Sequence, residues 1–265
     1  MFSALTKIQK AELRSTLFRH LDGLVVAPTA MTLYAAGVLP YLLEQQSCTL
    51  DALTEKFTAN KGYLNVALRV LCSQGWLTQN TDKQTYTINK NTEIEVKWVP
   101  LYEDVVALMK FSAKFDRRKF DVVPFRVLEG IFEKYKQSYG LQWAENEEER
   151  SIQLQVLKHI EGCLIGPTVV ALGMNGMFHK YFMEASFRAD EFHSDTESFE
   201  KILDFFSFLG WFSKGNQTYR FTETGLFFAK RASAYGVTVS YSPTFQRLDE
   251  LLFGNPQVLW QVEPG

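Results

Sequence analysis

Apolar residues recur at helical spacing along most of this chain, interrupted by short alternating runs. Over residues 4–20, Leu5, Ile8, Leu13, Leu17 and Phe18 are helix-spaced with Lys7, Lys10, Glu12 and Arg14 between them, which predicts an amphipathic helix. Residues 24–46 read as a second, more apolar helix, entered near Pro28 and kinked or split at Pro40. Thr49 with Asp51 two residues on predicts a capped short helix over residues 50–57. After the turn residues Ala59-Asn60-Lys61-Gly62, a third helix runs over 63–74 and ends at Gly75. Trp76-Leu77-Thr78 and Gln84-Thr85-Tyr86-Thr87-Ile88 flank turn residues 80–83 and predict a hairpin. Three helices followed by a small hairpin is the order of a winged helix-turn-helix.

The pattern occurs twice. Leu21-Asp22-Gly23 through Pro28-Thr29 is matched by Ile160-Glu161-Gly162 through Pro167-Thr168, at an offset of 139 residues that also relates His20 to His159 and Gly37 to Gly176. The offset is 135 at Gly75-Trp76 and Gly210-Trp211, and 133 at Tyr86 and Tyr219, as shorter loops in the second copy would give. A match at this many points marks a tandem repeat.

Between the copies, residues 99–115 and 123–143 read as two helices separated by the charged turn Asp116-Arg117-Arg118-Lys119. Glu145-Asn146-Glu147-Glu148-Glu149-Arg150 reads as the acidic, solvated start of a long helix, where acids complement the macrodipole, rather than as a metal or peptide site. In the second copy, residues 164–185 are predicted helical and Arg188-Ala189-Asp190-Glu191-Phe192 matches the short middle helix weakly. Residues 196–209 form a Phe-rich third helix, followed by a hairpin through Gly215-Asn216. Helices are expected over 226–234 and 244–253, and the run Trp260-Gln261-Val262-Glu263-Pro264-Gly265 reads as a linker toward a further domain. The expected fold class is mainly α: tandem winged-helix-like modules, each of three helices and a small β-hairpin, joined by a helical insert. The expected divisions are 1–90, 91–158, 159–235 and 236–265.

Bulk properties narrow the function classes. The chain has 265 residues, 46% hydrophobic and 14% aromatic with 22 Phe, enough to bury a core. The net charge of −2 is spread without a strongly basic part, so no nucleic-acid or anionic-membrane footprint is expected. Cys48, Cys72 and Cys163 form no CxxC pair and read as buried free thiols in a reducing, cytoplasmic setting. Residues 1–18 carry early charges and no long apolar run, so they read as neither signal peptide nor membrane span.

Chemistry-bearing motifs are few. There is no GxGxxG after a strand, no Walker sequence and no GxSxG. His20, His159, His179 and His193 lack HxxxH or HxH spacing, and the repeated pair His20/His159 reads as structural. The repeated Gly-Trp corners read as core, not as ligand-stacking aromatics. The recognition-helix positions do not suit DNA: the first copy offers only Lys61 and Arg69, the second Glu197, Glu200 and Asp204 against Lys201.

Ala36-Gly37-Val38, Thr49-Leu50-Asp51-Ala52-Leu53 and Leu68-Arg69-Val70-Leu71 ahead of Gly75-Trp76-Leu77 carry a resemblance. Over residues 20–90 the first copy resembles the N-terminal dimerisation region of plant-type small-molecule O-methyltransferases. The doubled module and inserted helices look more like the helical N-terminal lid of C-methyltransferases embedded in polyketide synthases, of the apratoxin-synthase loading-module type. Tyr241-Ser242-Pro243-Thr244-Phe245 and Leu248-Asp249-Glu250-Leu251-Leu252-Phe253-Gly254 resemble the run before the catalytic core of that group. The resemblance implies a non-catalytic lid that covers an active site and shapes an acyl pocket, inactive without its core. S-adenosylmethionine, and in some members a metal ion, would be held by a core following residue 265. The implied partners are that core and an acyl carrier protein bearing a malonyl-type group, with neither nucleic acid nor membrane. No catalytic, cofactor or metal residue carries over onto this sequence. Tyr241, Phe245 and Arg247 are the substrate-lid candidates, against the plainer reading of two packed aromatics and a surface arginine. Two other classes stay open: a stand-alone interaction adaptor using the Phe-rich third helix of the second copy, and a winged-helix transcription regulator.

Overall fold

The structure, a computed structural model, describes residues 4–109, 122–181 and 186–257. The expected turn at Asp116–Lys119 and the terminal run from Trp260 lie outside the described residues.

The chain opens with one long helix where the sequence predicted two. Helix α1 (Lys7–Ala35) starts at a Thr6/Gln9 capping box and runs through Pro28 without a break. A proline inside a helix costs about 3 kcal/mol. Here residues 26–30 on both sides of Pro28 are buried, so tertiary packing holds the helix together. The break falls instead at Gly37, whose φ of 81° is the left-handed conformation that glycine adopts without a Cβ penalty. Helix α2 (Val38–Gln45) follows, with Pro40 in its first turn, where a missing N–H costs no intrahelical bond.

Strand β1 (Ser47–Thr49) leads into α3 (Leu50–Phe57), capped by the Thr49 hydroxyl accepting from the Ala52 amide at 3.2 Å. Asn60, expected in a turn, caps α4 (Lys61–Ser73). Strands β2 (Leu77–Asn80) and β3 (Thr85–Ile88) form the wing, and β1 adds as a third antiparallel strand in the order β1-β3-β2. The sequence reading missed β1, which is only three residues long and has no periodicity to show.

The connector is more broken than predicted. It comprises α5 (Thr92–Trp98), a 3-10 turn at Val99–Tyr102, α6 (Glu103–Met109) and α7 (Val122–Lys136). The second predicted connector helix stops early because Ser138, Tyr139 and Gly140 all have positive φ. Helix α8 (Glu147–Met174), capped by Asn146, repeats α1: it passes unbroken through Pro167 and ends before Gly176 at φ 78°. By length and composition α8 could cross a membrane, yet 67% of its apolar window is buried inside this protein, as for a core helix.

After α9 (Met177–Tyr181), the second module departs from the expected three helices. Its middle helix is a single 3-10 turn at Ala189–Glu191. Helix α10 (Thr196–Phe208), capped by Asp195, leads through Gly210 at φ 79° to the wing β4 (Phe212–Lys214) and β5 (Tyr219–Phe221). The third strand survives as one bridge, Phe187 with Tyr219. Phe187 is 139 residues after Cys48, which pairs with Tyr86 in the first sheet. Helices α11 (Glu223–Ala229), α12 (Ala232–Val239), α13 (Ser242–Phe245) and α14 (Leu248–Phe253) complete the described chain. The fold is mainly α with winged-helix modules, as the sequence implied.

The core is continuous from one module to the other. Trp76 and Trp211 are both buried core residues; Trp211 stacks on Phe228 with ring centroids 4.8 Å apart. Of the cysteines only Cys163 is buried, and burial pushes its thiol well above the ordinary value; Cys48 and Cys72 are half-buried.

Candidate functional site

The two modules meet where α1 crosses α8, and the repeat supplies both sides of the contact. A Cβ on Gly23 would stand 2.4 Å from the His159 Cα, and one on Gly162 would stand 2.4 Å from the His20 Cα. The same pair of residues, glycine and the histidine three before it, therefore meets itself across a pseudo-two-fold crossing. Glycine lets the backbones touch, which brings polar side chains from both copies into one interior.

Each histidine takes a tyrosine, His20 from α12 and His159 from the 3-10 turn of the connector. His20 Nδ1 shares a hydrogen bond of 2.8 Å with the Tyr235 hydroxyl, and His159 Nδ1 one of 2.7 Å with Tyr102. Tyr102 and Tyr235 are 133 residues apart, the repeat offset at Tyr86 and Tyr219. That coincidence is the sequence signal that would have exposed the pairing.

Past the tyrosines the symmetry ends. His20 Nε2 lies 3.0 Å from Glu161 Oε1, and the other Glu161 oxygen accepts from the Tyr135 hydroxyl and the Lys158 ammonium. Glu161 and His20 are 3% and 0% exposed, which places them beyond direct solvent contact. Burial alone would raise the Glu161 carboxyl. The His20 hydrogen bond, the His20 charge and Lys158 outweigh it and hold the group down at about 2. The residue equivalent to Glu161 in the first copy is Asp22, one methylene shorter and half-buried, with Gln74 as its side-chain partner. His159 Nε2 is left buried without a partner. Burial, with the positive fields of Arg19 and His20, lowers the His159 pKa to about 3, so that imidazole is neutral.

A carboxylate–imidazole–phenol chain resembles acid–base machinery. Its groups are buried inside the joint between modules, so this arrangement acts as a bolt: three donors on one carboxylate, drawn from α1, α7 and α8. His20 and His159 are buried and hydrogen-bonded inside the joint; the sequence reading did not single out Glu161, Tyr135, Tyr102 and Tyr235 as their partners. Among the described residues no group of three or more His, Cys, Asp or Glu could hold a metal ion. Among the described residues no glycine-rich turn joins a strand to a helix.

The substrate-lid candidates lie elsewhere. Tyr241 is 57% exposed and pairs with half-buried Phe245, ring centroids 6.5 Å apart, across α13. Arg247, half-buried, precedes α14. The three sit on consecutive turns, and Ser240, next to Tyr241, lines an apolar groove with Val170, Met174, Phe178, Ala232 and Val239.

The third helix of the second module is committed to internal contacts, whereas α4 of the first keeps Lys61, Val66 and Arg69 exposed. In α10, Phe205 stacks on Phe132 of α7 at 4.0 Å, and Lys201 pairs with Glu129 at 3.0 Å. Phe199, Phe205 and Phe206 are buried, and only Phe208 of the Phe-rich set is exposed. In α4, Lys61 pairs with Asp51 at 2.5 Å, and the Asn60 amide donates to the Leu252 carbonyl of α14 at 2.7 Å. Connector helix α7 thus covers the second module's third helix, while the C-terminal α14 docks on the first.

These features define a tandem winged-helix protein whose two modules share one core. Residues 13–79 match the family model of the AprA N-terminal domain, and residues 161–255 match that of the AprA winged helix domain. The two matches support an apratoxin-synthase-related protein with a winged-helix domain and suggest part of a polyketide-synthase-type protein. No curated protein matches the chain.

Proposed function

We propose that this chain is the helical lid region of a C-methyltransferase in a polyketide synthase, covering an active site and shaping the pocket for an acyl group on a carrier protein. The observation that carries the reading is the presence of both AprA-type domains, in order, on one chain. Exposed Tyr241 beside the apolar groove at α12 gives the lid a surface suited to an aliphatic substrate arm or to the core itself. A lid of this kind excludes water from the reacting groups and orders the substrate; it does not itself transfer a methyl group. The core, S-adenosylmethionine, any metal ion and the malonyl-type carrier protein belong to this proposal.

The two other classes are less well supported. A transcription regulator needs a third helix free to enter a groove; in the second module α7 covers α10, and in the first the exposed side of α4 offers only Lys61 and Arg69 as cations. The adaptor reading relied on the Phe-rich face of α10, which turns inward.

The test joins the chain to the sequence that follows it in its native reading frame and measures methyl transfer to a malonyl-loaded carrier protein. Tyr241→Ala and Phe245→Ala are expected to lower turnover about tenfold, as for residues that complete a closed site. A reading frame that supplies no S-adenosylmethionine-binding core would overturn the proposal.

A further inference from the structure

The second copy of the repeat has a groove at a place where the first copy has a tyrosine. The groove has a volume of about 620 Å³ and lies between the C-terminal end of α8, the start of α9 and α12. Its floor includes Gly173, which corresponds to Tyr34 at the 139-residue offset. At the 133-residue offset that relates Tyr102 to Tyr235, Ala232 and Gly236 correspond to Val99 and Glu103. Helix α12 packs on α8 as the 3-10 turn and α6 pack on α1, so these positions are equivalent in space as well as in sequence. A Cβ on Gly173 would point at Phe178 and Ala232, 3.5–3.7 Å away, so a side chain at this position leaves α8 into the groove. In the first copy the same two neighbours are Leu39 and Val99, both buried, and Tyr34 packs on the core. The groove is therefore the space that loss of the Tyr34 side chain and shrinkage of its neighbours leave open.

The remaining walls change in the opposite sense. Phe178 and Met174 stand where the first copy has Leu39 and Ala35. A ring and a thioether are the surfaces that pack most favourably on another aromatic ring. No residue lining the groove is charged, so a carboxylate or ammonium group would lose hydration there without a counter-charge. Met174 is 84% exposed, and Val237 and Tyr241, next in the chain to lining residues, are 69% and 57% exposed. A socket ringed by exposed large apolar side chains has the form of a protein-binding patch, with a central pocket for an anchor and a rim that excludes water.

We propose that this groove is a socket for one aromatic side chain, tyrosine or phenylalanine, of a polypeptide that docks on this face, the ring taking the place that Tyr34 fills in the first copy. The lid reading supplies the partner, its methyltransferase core, and the proposal rests on that reading for the partner alone. The fit of a ring to the socket belongs to this chain and is tested without the partner.

The test titrates p-cresol, the tyrosine side chain as a free molecule, into the 265-residue chain and follows binding by NMR shift changes. One site with a dissociation constant on the order of 1 mM is expected, as for a ligand of so few atoms. Gly173→Tyr fills the socket with the residue of the first copy and should weaken binding at least about tenfold. Gly236→Leu reaches the same space from α12, where a Cβ meets nothing within 4 Å, and should weaken it as well while keeping the wild-type circular dichroism. Tyr34→Gly opens the equivalent space in the first copy and should raise the stoichiometry to two. Hexanol, an apolar alcohol without a ring, should bind several-fold more weakly than p-cresol. No saturable binding, binding unchanged in both glycine variants, a single site in Tyr34→Gly, or hexanol bound as tightly as p-cresol would each overturn the proposal. The methyl-transfer assay tests the lid reading separately, so failure of one is distinguishable from failure of the other.

Discussion

Gly23 on α1 and His159 on α8 touch backbone to backbone, and no side chain fits between them. A Cβ on Gly23 meets three His159 backbone atoms within 2.7 Å, and Gly162 meets His20 in the same way. Backbone cannot swing aside as a side chain can, so Gly23→Ala or Gly162→Ala must push the two longest helices apart. Each is expected to cost about 3 kcal/mol, the upper end of the usual range for overpacking. Gly173→Ala is the control: its new methyl would lie 3.5–3.7 Å from side-chain atoms only. Denaturant midpoints check the contrast, and equal effects at Gly23 and Gly173 would refute the crossing.

Glu161 is the member whose loss leaves the most behind. Its removal strands His20, Tyr135 and Lys158. Glu161→Ala is expected to destabilise by about 3–5 kcal/mol, as for a broken buried pair. Tyr135→Phe removes one donor and should cost about 1–2 kcal/mol. A double-mutant cycle between the two sites should show coupling well above zero, measured by urea unfolding.

Acid should weaken the fold in two stages. Folded His159 accepts a proton only near pH 3, because burial and the charges of Arg19 and His20 oppose it, whereas the unfolded residue accepts one near 6.5. Stability is therefore full above 6.5 and falls as pH drops toward 3, by about 1.4 kcal/mol per pH unit once well below 6.5. Folded Glu161 protonates near 2 against about 4.5 unfolded, which adds a second loss below 4.5. Urea midpoints at pH 7 and pH 5 test the first stage, and His159→Gln should flatten it.

Phe132 and Phe205 form the parallel stack that fastens α7 over α10. Phe205→Ala should cost about 3–5 kcal/mol, and Phe132→Ala a similar amount, since both rings are buried. The double variant should cost clearly less than the sum, because the first truncation already empties the contact. Thermal melts of the four proteins decide it.

Tyr241→Ala separates a surface role from packing. At 57% exposed, the ring contributes little to the fold, and the variant should melt within about 0.5 kcal/mol of the wild type. Trp211→Ala, which empties a buried stack against Phe228, should cost about 3–5 kcal/mol. A large melting shift for Tyr241→Ala would make that residue structural and remove the best lid candidate.

Some features were legible because they are local. Thr49 caps α3 through one side-chain bond, and Gly75 and Gly210 end the third helices at left-handed φ, as short-range stereochemistry dictates. Helix continuity was not legible: Pro28 and Pro167 are poor helix residues, and only burial on both sides overrides them. The bolt was half visible. Equal offsets joined His20 to His159, but nothing local said that Glu161 would reach His20 from 141 residues away.

By itself the sequence determined the repeat, the mainly helical winged modules, and the turns and caps. These follow from periodicity and from the conformational preferences of single residues. The tertiary structure decided that the modules share one core, that α7 covers α10, and that one histidine is bonded at both nitrogens while its twin is not. Which helices cross, and what a buried polar group meets there, depends on side chains far apart in sequence that the crossing at Gly23 and Gly162 brings within bonding distance.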